Sequence, residues 1–591
     1  MALMKKTISN TILANISYVS VIFLLSSLTS YSFGSLNPII LISLASILLI
    51  AFRQEKLKLI SFKKTRTSFL SLSFSLLFAL ILTIKGQINF EHVEGNYHET
   101  TISSFGAFQL ILFIGTFLYF FCFLQFSQIL LPRIADKFVL PEQSKYASSK
   151  YFFMVMLILL ICWSPYALTL YPGVVLPDSL GSVAQAMGDN SINNHHPVLF
   201  TLFVKVFVHD LPLKNINNGV FLFSITQSVI LAASISYSLY WLLKKKIHPF
   251  IILTAACYFS LAPVFPIYAL NMQKDVLFSV ACLLFSLTMF DLIVEKKNTL
   301  AHQIAVVLLA LLTTYTRNNG LYVILGTGAF ALFFAIRDRP LRPIIQVLVS
   351  YLLLVGLVIK PLKRKYVIPA ASAEQLGIPL QQITRTIVME GSLSKNDLLL
   401  MNNILPLEDY KAYAPGLSDR IKWHPNFDNT YLNRHRKDFL LLWARNLPDN
   451  FSLYTDAYIL QTFGFWIPGV KRSYGFLDTP VSTNNYGITQ INLIERLTGF
   501  SWTNRLIEAR NFWGSGTLLW MVLFSIFLLL SSKKYHLMLL VLPGILVFLT
   551  IMIATPVAFS LRYVLILALG LPVYLLAPFL QSPKSLFKTL S

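Results

Sequence analysis

Four charged positions stand at the edges of long apolar runs: Asp178, the pair Lys274-Asp275, Arg317 and Arg562. A charge inside a bilayer is costly unless it is paired or wetted, so charges kept at span edges point to a polar site there. Asp178 belongs to the stretch Tyr171-Pro-Gly-Val-Val-Leu-Pro-Asp178-Ser179, and the chain runs on through Asn190 to His195-His196-Pro197. This stretch is polar and turn-rich between two apolar runs. It leads into residues 198–209, too short to cross a membrane and suited to an interfacial or re-entrant helix. A half-buried carboxylate in such a pocket can have a raised pKa and act as a base, while nearby Lys and Arg hold an anionic leaving group.

The elements that must position these groups are membrane helices. Of 591 residues 55% are hydrophobic and only 13% charged, with a mean hydropathy of +0.65; a soluble globular chain carries roughly 25% charged residues. Apolar runs long enough to cross a hydrocarbon layer of about 30 Å recur along the chain. They predict about fourteen spans: near 11–33, 36–52, 67–84, 105–131, 151–170, 218–243, 249–270, 275–294, 303–316, 320–336, 343–360, 513–530, 536–553 and 561–579. Lys5/Lys6 before the first run resemble a signal-peptide start, but no small-residue cleavage site follows, so a retained first span is expected.

The net charge of +22 comes from short basic clusters between apolar runs, which set topology and meet anionic lipid rather than nucleic acid. Lys5/Lys6, Arg53 to Arg66, Arg133 to Lys150, Lys244 to Lys246, Lys296/Lys297, Arg337 to Arg342, Lys533/Lys534 and Lys584/Lys588 alternate with the spans as the positive-inside rule requires. Both termini are then cytoplasmic. The intervening loops 86–104 and 171–195 carry acidic residues, Glu91, Glu94 and Glu99 in the first, Asp178 and Asp189 in the second. One cluster, Lys360 to Lys365, falls on the outer side, where it opens the long connection 362–512; long loops are exempt from the rule. Helical stretches at Ile378 to Met389, Tyr431 to Arg445 and Phe451 to Thr462, and a turn at Ala414-Pro415-Gly416, make that connection a small outer domain on the membrane. The four cysteines lie inside apolar runs with no ligand spacing and read as packing residues.

An aspartate in the first outer loop followed by His-Pro before a juxtamembrane helix is similar to the GT-C superfamily of lipid-linked-sugar glycosyltransferases, especially its protein mannosyltransferase and aminoarabinose transferase branch. Asp178 and His196-Pro197 stand in those places, with Val198 where the branch has a second proline. Lys274-Asp275-Val-Leu-Phe resembles the branch's later basic-acidic pair, Thr316-Arg317-Asn318-Asn319-Gly320 its loop with a basic residue and glycine, and Arg562-Tyr563 its late Arg-Tyr. Ser179 replaces the usual acidic residue after the loop aspartate, and no second acidic residue beside Asp275 makes a metal pair. Outside the superfamily pattern, Ile378-Pro-Leu-Gln-Gln-Ile-Thr-Arg385 and Tyr458 to Pro468 look like an uncharacterised family of Gram-positive bacterial membrane proteins.

The resemblance covers roughly 151–361 as a seven-span module with its first outer loop at 171–217; four additional helices in 1–150 precede it, and the extracytoplasmic domain 362–512 and three C-terminal spans in 513–591 follow. The resemblance implies an inverting transferase in the cell membrane, moving a sugar from a polyprenyl-phosphate donor to a hydroxyl on a cell-wall or other cell-envelope glycan or protein outside. Asp178 would then be the base, Asp275 would orient a cation or the acceptor, and Lys274, Arg317 and Arg562 would hold phosphate. His195, His196, Asn318, Arg385 and Tyr563 would complete substrate binding. No cofactor is called for, and a divalent cation is left open.

Blander roles exist for each residue. Pro177-Asp178-Ser179 is also a helix N-cap signature. The histidines fit hydrogen-bonded loop positions as well as metal ligation, Lys274-Asp275 fits a local ion pair, and rim arginines such as Arg317 and Arg562 can snorkel to lipid phosphates. Trp163, Trp466, Trp502 and Trp513 fit interface belts, or stacking on sugar. The chain has no Walker A loop, no GxGxxG and no Asp-x-Asp pair, so cytosolic nucleotide-sugar chemistry has no visible site. A lipid-linked saccharide transporter or flippase predicts midplane charges and matching halves, which the sequence lacks; a polysaccharide polymerase or ligase fits the same outer-face site.

Overall fold

The computed structural model describes residues 66–580 except 96, 143, 145, 339–340, 369–371, 471–478, 501–513 and 555–559. The expected spans near 11–33 and 36–52, the basic pairs Lys5/Lys6 and Lys584/Lys588, most of the cluster ending at Arg66, and Trp502 and Trp513 lie outside the described residues.

Apolar residues on every face of a helix require either protein or lipid all round it, and the described residues form helices throughout, with only isolated β-bridges. Among the described residues seven helices are long and apolar enough to cross a membrane: Thr67–Lys85, Ala107–Gln125, Ser149–Thr169, Ile216–Lys244, Lys274–Ile293, Arg342–Tyr366 and Tyr535–Ile553. Two bent pairs raise this to nine: Pro249–Leu261 with Val264–Leu270, at 55°, and Leu561–Leu569 with Leu571–Phe579, at 46°. Three other expected spans, Leu300–Thr316, Gly320–Asp338 and Ser515–Ser531, are apolar helices of 17, 19 and 17 residues, at the short end of the range for a crossing. Residues 198–210 are a short helix, Val198–Lys205, ending in a π-turn, Val206–Asp210.

The helix Lys274–Ile293 is the axis of the bundle. It is 89% buried over its most apolar window, against 28% for Ser149–Thr169, whose Phe153, Leu157 and Ile161 face outward. Helices Ile216–Lys244, Leu300–Thr316 and Tyr535–Ile553 pack around it. The segment after Tyr366 has a core of its own, built from Leu380, Ile383, Met401, Tyr410, Leu432, Phe439 and Tyr454. Helix Phe451–Trp466 then packs on both Gly377–Val388 and the membrane-type helix Ser515–Ser531, tying this domain to the bundle.

Candidate functional site

Two connecting segments lie side by side at one end of the bundle. Val174 N–H donates to Leu270 O and Met272 N–H to Val174 O, each at 3.0 Å, so the chain entering Asp178 runs beside the chain entering Lys274. Buried Gln227, in mid-helix, holds the second segment by donating its amide to the carbonyls of Tyr268, Ala269 and Asn271. Pro177, with its fixed φ and no N–H to lose, starts the helix Pro177–Met187. Ser179 Oγ takes the Leu176 N–H and donates to Met272 O at 2.6 Å. Those two bonds account for a hydroxyl at this position. A carboxylate at position 179 would be buried against a carbonyl oxygen.

Asp178 therefore lies one residue inside the helix and does not cap it, because the N-cap is Leu176. Its carboxylate pairs with Arg562 at 3.0 Å. The expectation of a raised pKa is overturned. Burial pushes the carboxyl up, but Arg562 and Lys274 outweigh that and hold it well below the ordinary carboxylate range. The side chain is 39% exposed and lines a cavity.

Arg317 ends the helix Leu300–Thr316 in extended conformation. The turn that follows brings Gly320 so close to Thr313 that a Cβ there would stand 2.0 Å from its carbonyl oxygen, which accounts for the glycine in the Arg-Asn-Asn-Gly run. Arg317 reaches Asp275 at 3.1 Å and donates to Tyr563 O at 2.9 Å. Arg562 donates to the Tyr563 hydroxyl at 2.6 Å, and both guanidiniums lie over the Tyr563 ring, 4.8 and 4.7 Å from its centroid. Both arginines turn inward to carboxylates, so neither is a lipid-facing snorkel. Lys274 and Asp275 are the first residues of the helix Lys274–Ile293 rather than a free link, and Asp275 pairs with Arg317 instead of Lys274.

These groups surround a cavity of about 970 Å³. Asp178, Lys274, Arg317, Arg562, Tyr563, His195, His196 and Asn318 all line it. Lys274 forms no ion pair or hydrogen bond with protein among the described residues, which leaves an uncommitted ammonium at the cavity wall. His196 is buried, and burial together with Lys274 lowers its pKa to about 3, so it is a neutral imidazole at ordinary pH. Burial also lowers His195, against the opposing pull of Glu374. Among the described residues no three His, Cys, Asp or Glu side chains gather as metal ligands.

Two expected site residues fall elsewhere. Asp275 is 2% exposed and does not line the cavity; it fixes Arg317 from behind. Arg385 is fully buried in the domain after Tyr366, paired with Asp456 at 3.1 Å, and does not line the cavity either. Its helix, Gly377–Val388, packs into the domain core, and its guanidinium is committed to Asp456 on the helix Phe451–Trp466. The sequence reading also missed a second wall, formed by Ile368, Glu374, Asp419 and Trp423 from the segment after Tyr366. No spacing pattern marks these residues, because they meet the first loop only through tertiary contacts, such as the edge-on approach of His195 to Trp423 at 5.4 Å between ring centroids.

A family model matches residues 11–589, almost the whole chain. The chain belongs to DUF6020, a family of unknown function. No curated protein and no solved structure matches it. In this DUF6020 member the basic cluster that breaks the charge rule lies beside the cavity. Lys363 donates to Asn194 Oδ1 at 2.7 Å, Asn194 O accepts from Asn318 at 3.0 Å, and Ile368 pairs with the backbone around Asn193. Next to it, Lys360, Arg364 and Lys365 line a groove of about 560 Å³.

Proposed function

We propose that this protein is a GT-C-like membrane glycosyltransferase that moves a sugar from a polyprenyl-phosphate donor to an acceptor hydroxyl. The observation that carries the reading is the convergence of Asp178, Lys274, Arg317 and Arg562, distant in sequence, on one cavity at the helix ends. An anionic oxygen fits the uncommitted Lys274 ammonium. The basic groove at Lys360, Arg364 and Lys365 adds positive potential beside it, worth about 1 kcal/mol per basic residue toward an anionic lipid surface.

In the reaction the acceptor oxygen attacks the anomeric carbon from the face opposite the phosphate, inverting it. The bond from that carbon to the phosphate oxygen breaks, polyprenyl phosphate leaves, and the acceptor proton passes to Asp178. A carboxylate held by Arg562 is a weak base, and the ion pair supplies the remedy. Donor phosphate competes for Arg562, and as the guanidinium turns to it Asp178 loses its positive neighbour and becomes more basic. Asp275 keeps Arg317 in place, and Tyr563 spaces the two guanidiniums.

This reading carries a topology of fourteen spans, both termini cytoplasmic and the cavity facing outward. Its test is Asp178→Asn in purified protein that still inserts, assayed for transfer from a radiolabelled polyprenyl-phosphate sugar. Loss of transfer is expected, and wild-type turnover would remove the base. Sidedness is read from Ser191→Cys and Lys395→Cys, both at exposed positions. An impermeant thiol reagent should label them in intact cells, and labelling only after permeabilisation would invert the topology.

A further inference from the structure

The cavity has two walls of unlike chemistry. The membrane-module wall holds Lys274, Arg317 and Arg562 with Asp178. The outer-domain wall holds the carboxylates Glu374 and Asp419 and the indole of Trp423. Lys422, 1% exposed, sits behind this wall and pairs with Asp419 at 2.8 Å and Glu374 at 3.3 Å. Burial opposes its charge, but the two carboxylates raise its pKa above the ordinary lysine value, so it stays an ammonium. One buried cation thus fixes two carboxylates and leaves the wall with a net negative charge.

Trp423 differs from every other described tryptophan. Trp163, Trp241, Trp443, Trp466 and Trp520 each donate the indole N–H to a protein acceptor. The Trp423 indole N–H has no hydrogen-bond partner among the described residues, and the side chain is 58% exposed at the cavity wall. Its backbone N–H closes the turn on Asp419 O at 3.0 Å, and the edge-on contact with His195 braces its ring. The result is a braced aromatic plane with a free donor, beside two anchored acceptors. Leaving so large an apolar face open to water forfeits its burial unless a ligand covers it.

We infer that Trp423, Glu374 and Asp419 form the acceptor subsite, and that it takes an uncharged saccharide unit. The indole covers the C–H face of a pyranose ring, while the carboxylates, which only accept hydrogen bonds, take vicinal hydroxyls. A unit bearing phosphate or carboxylate meets like charge here, so a polyanionic chain is selected against. The inference rests on the transfer reading and assigns donor and acceptor to opposite walls: phosphate to the lysine and arginines, the sugar hydroxyls to the carboxylates.

The experiment uses the full chain in nanodiscs, with a neutral hexose oligosaccharide and a glycerol-phosphate polymer of equal length as probes. Each probe is measured for direct binding and as an acceptor. Trp423→Ala should weaken binding of the neutral oligosaccharide and raise its KM about tenfold, with the donor KM unmoved and Trp423→Phe recovering most of the loss. Glu374→Gln with Asp419→Asn should narrow the preference for the neutral probe over the anionic one. Unchanged oligosaccharide binding in Trp423→Ala overturns the subsite, as does equal or tighter binding of the anionic polymer by the wild type. If Asp178→Asn abolishes transfer while Trp423→Ala does not alter acceptor KM, the subsite fails and the transfer reading stands. If no transfer occurs at all but oligosaccharide binding depends on Trp423, the transfer reading fails and the saccharide site remains.

Discussion

The helix Lys274–Ile293 carries a buried aspartate near each end, and the two have different surroundings. Asp291 is 4% exposed and meets Lys245 at 3.1 Å, Lys297, and the Trp241 indole at 3.0 Å, while Lys245 also pairs with Glu295 at 3.0 Å. Sixteen residues earlier, roughly 24 Å along the axis, Asp275 pairs with Arg317 and Asp178 with Arg562, but Lys274 has no partner and a cavity opens beside it. The residue types at the two ends are alike. Closure distinguishes them: Asp291 binds the bundle together with its hydrogen-bonding capacity engaged, whereas the Asp178 end keeps a surplus cation and space for an anion. Buried charge by itself therefore says little about function, and an uncommitted charge facing a cavity says much more.

The contrast breaks if the wrong end proves essential to chemistry. Asp178→Asn is expected to reduce transfer by about 10² to 10⁴-fold in a steady-state assay, the largest effect among these variants. Next comes Lys274→Gln, for which donor kcat/KM should fall about 10 to 100-fold, mainly through KM, as one phosphate contact is lost. Lys245→Gln should not move donor KM, and a matching fall there would erase the distinction between the ends.

Asp291→Asn removes the carboxylate that Lys245 and Lys297 share and leaves Lys245 only Glu295. It should cost about 3 kcal/mol or more of stability, read as a lower midpoint in thermal unfolding, with turnover per folded molecule unchanged. In the pH dependence of kcat/KM the wild type should keep its activity until Asp178 is protonated, below the usual carboxylate range. Arg562→Gln removes the charge that lowers that pKa, so the acid limb should move to higher pH by about one unit or more. A limb that stays in place would detach Asp178 from the reaction.

The smallest effect is expected from Gly181→Ala. Its Cβ would stand 2.5 Å from His196 Nε2, so the imidazole must shift within the cavity, and a few-fold change in KM follows. No change in KM would show that the placement of His196 is immaterial.

Much of this could be read in advance, for reasons that differ by residue. Apolar runs long enough to cross lipid marked the positions of the helices, because backbone groups in hydrocarbon must be satisfied within a helix. Charges placed where such runs end marked Asp178, Lys274, Arg317 and Arg562. The roles of Asp275 and Arg385 could not be read this way. Both are charged residues in plausible places, but what each faces depends on which helix packs against it. Ser179 looked like a departure from a pattern until its hydroxyl was seen to join two segments that are nearly a hundred residues apart.

The sequence by itself determined that this is a helical chain suited to lipid, with its polar chemistry gathered at span ends, because composition and run length act locally and need no knowledge of neighbours. Only the tertiary structure decided which charges neutralise one another and which remains uncommitted, and that Glu374, Asp419 and Trp423, far along the chain, share a cavity with Asp178. The physical reason is range. An ion pair or an aromatic contact needs atoms within a few ångströms, and residues hundreds of positions apart come that close only through the packing of whole helices around Lys274–Ile293.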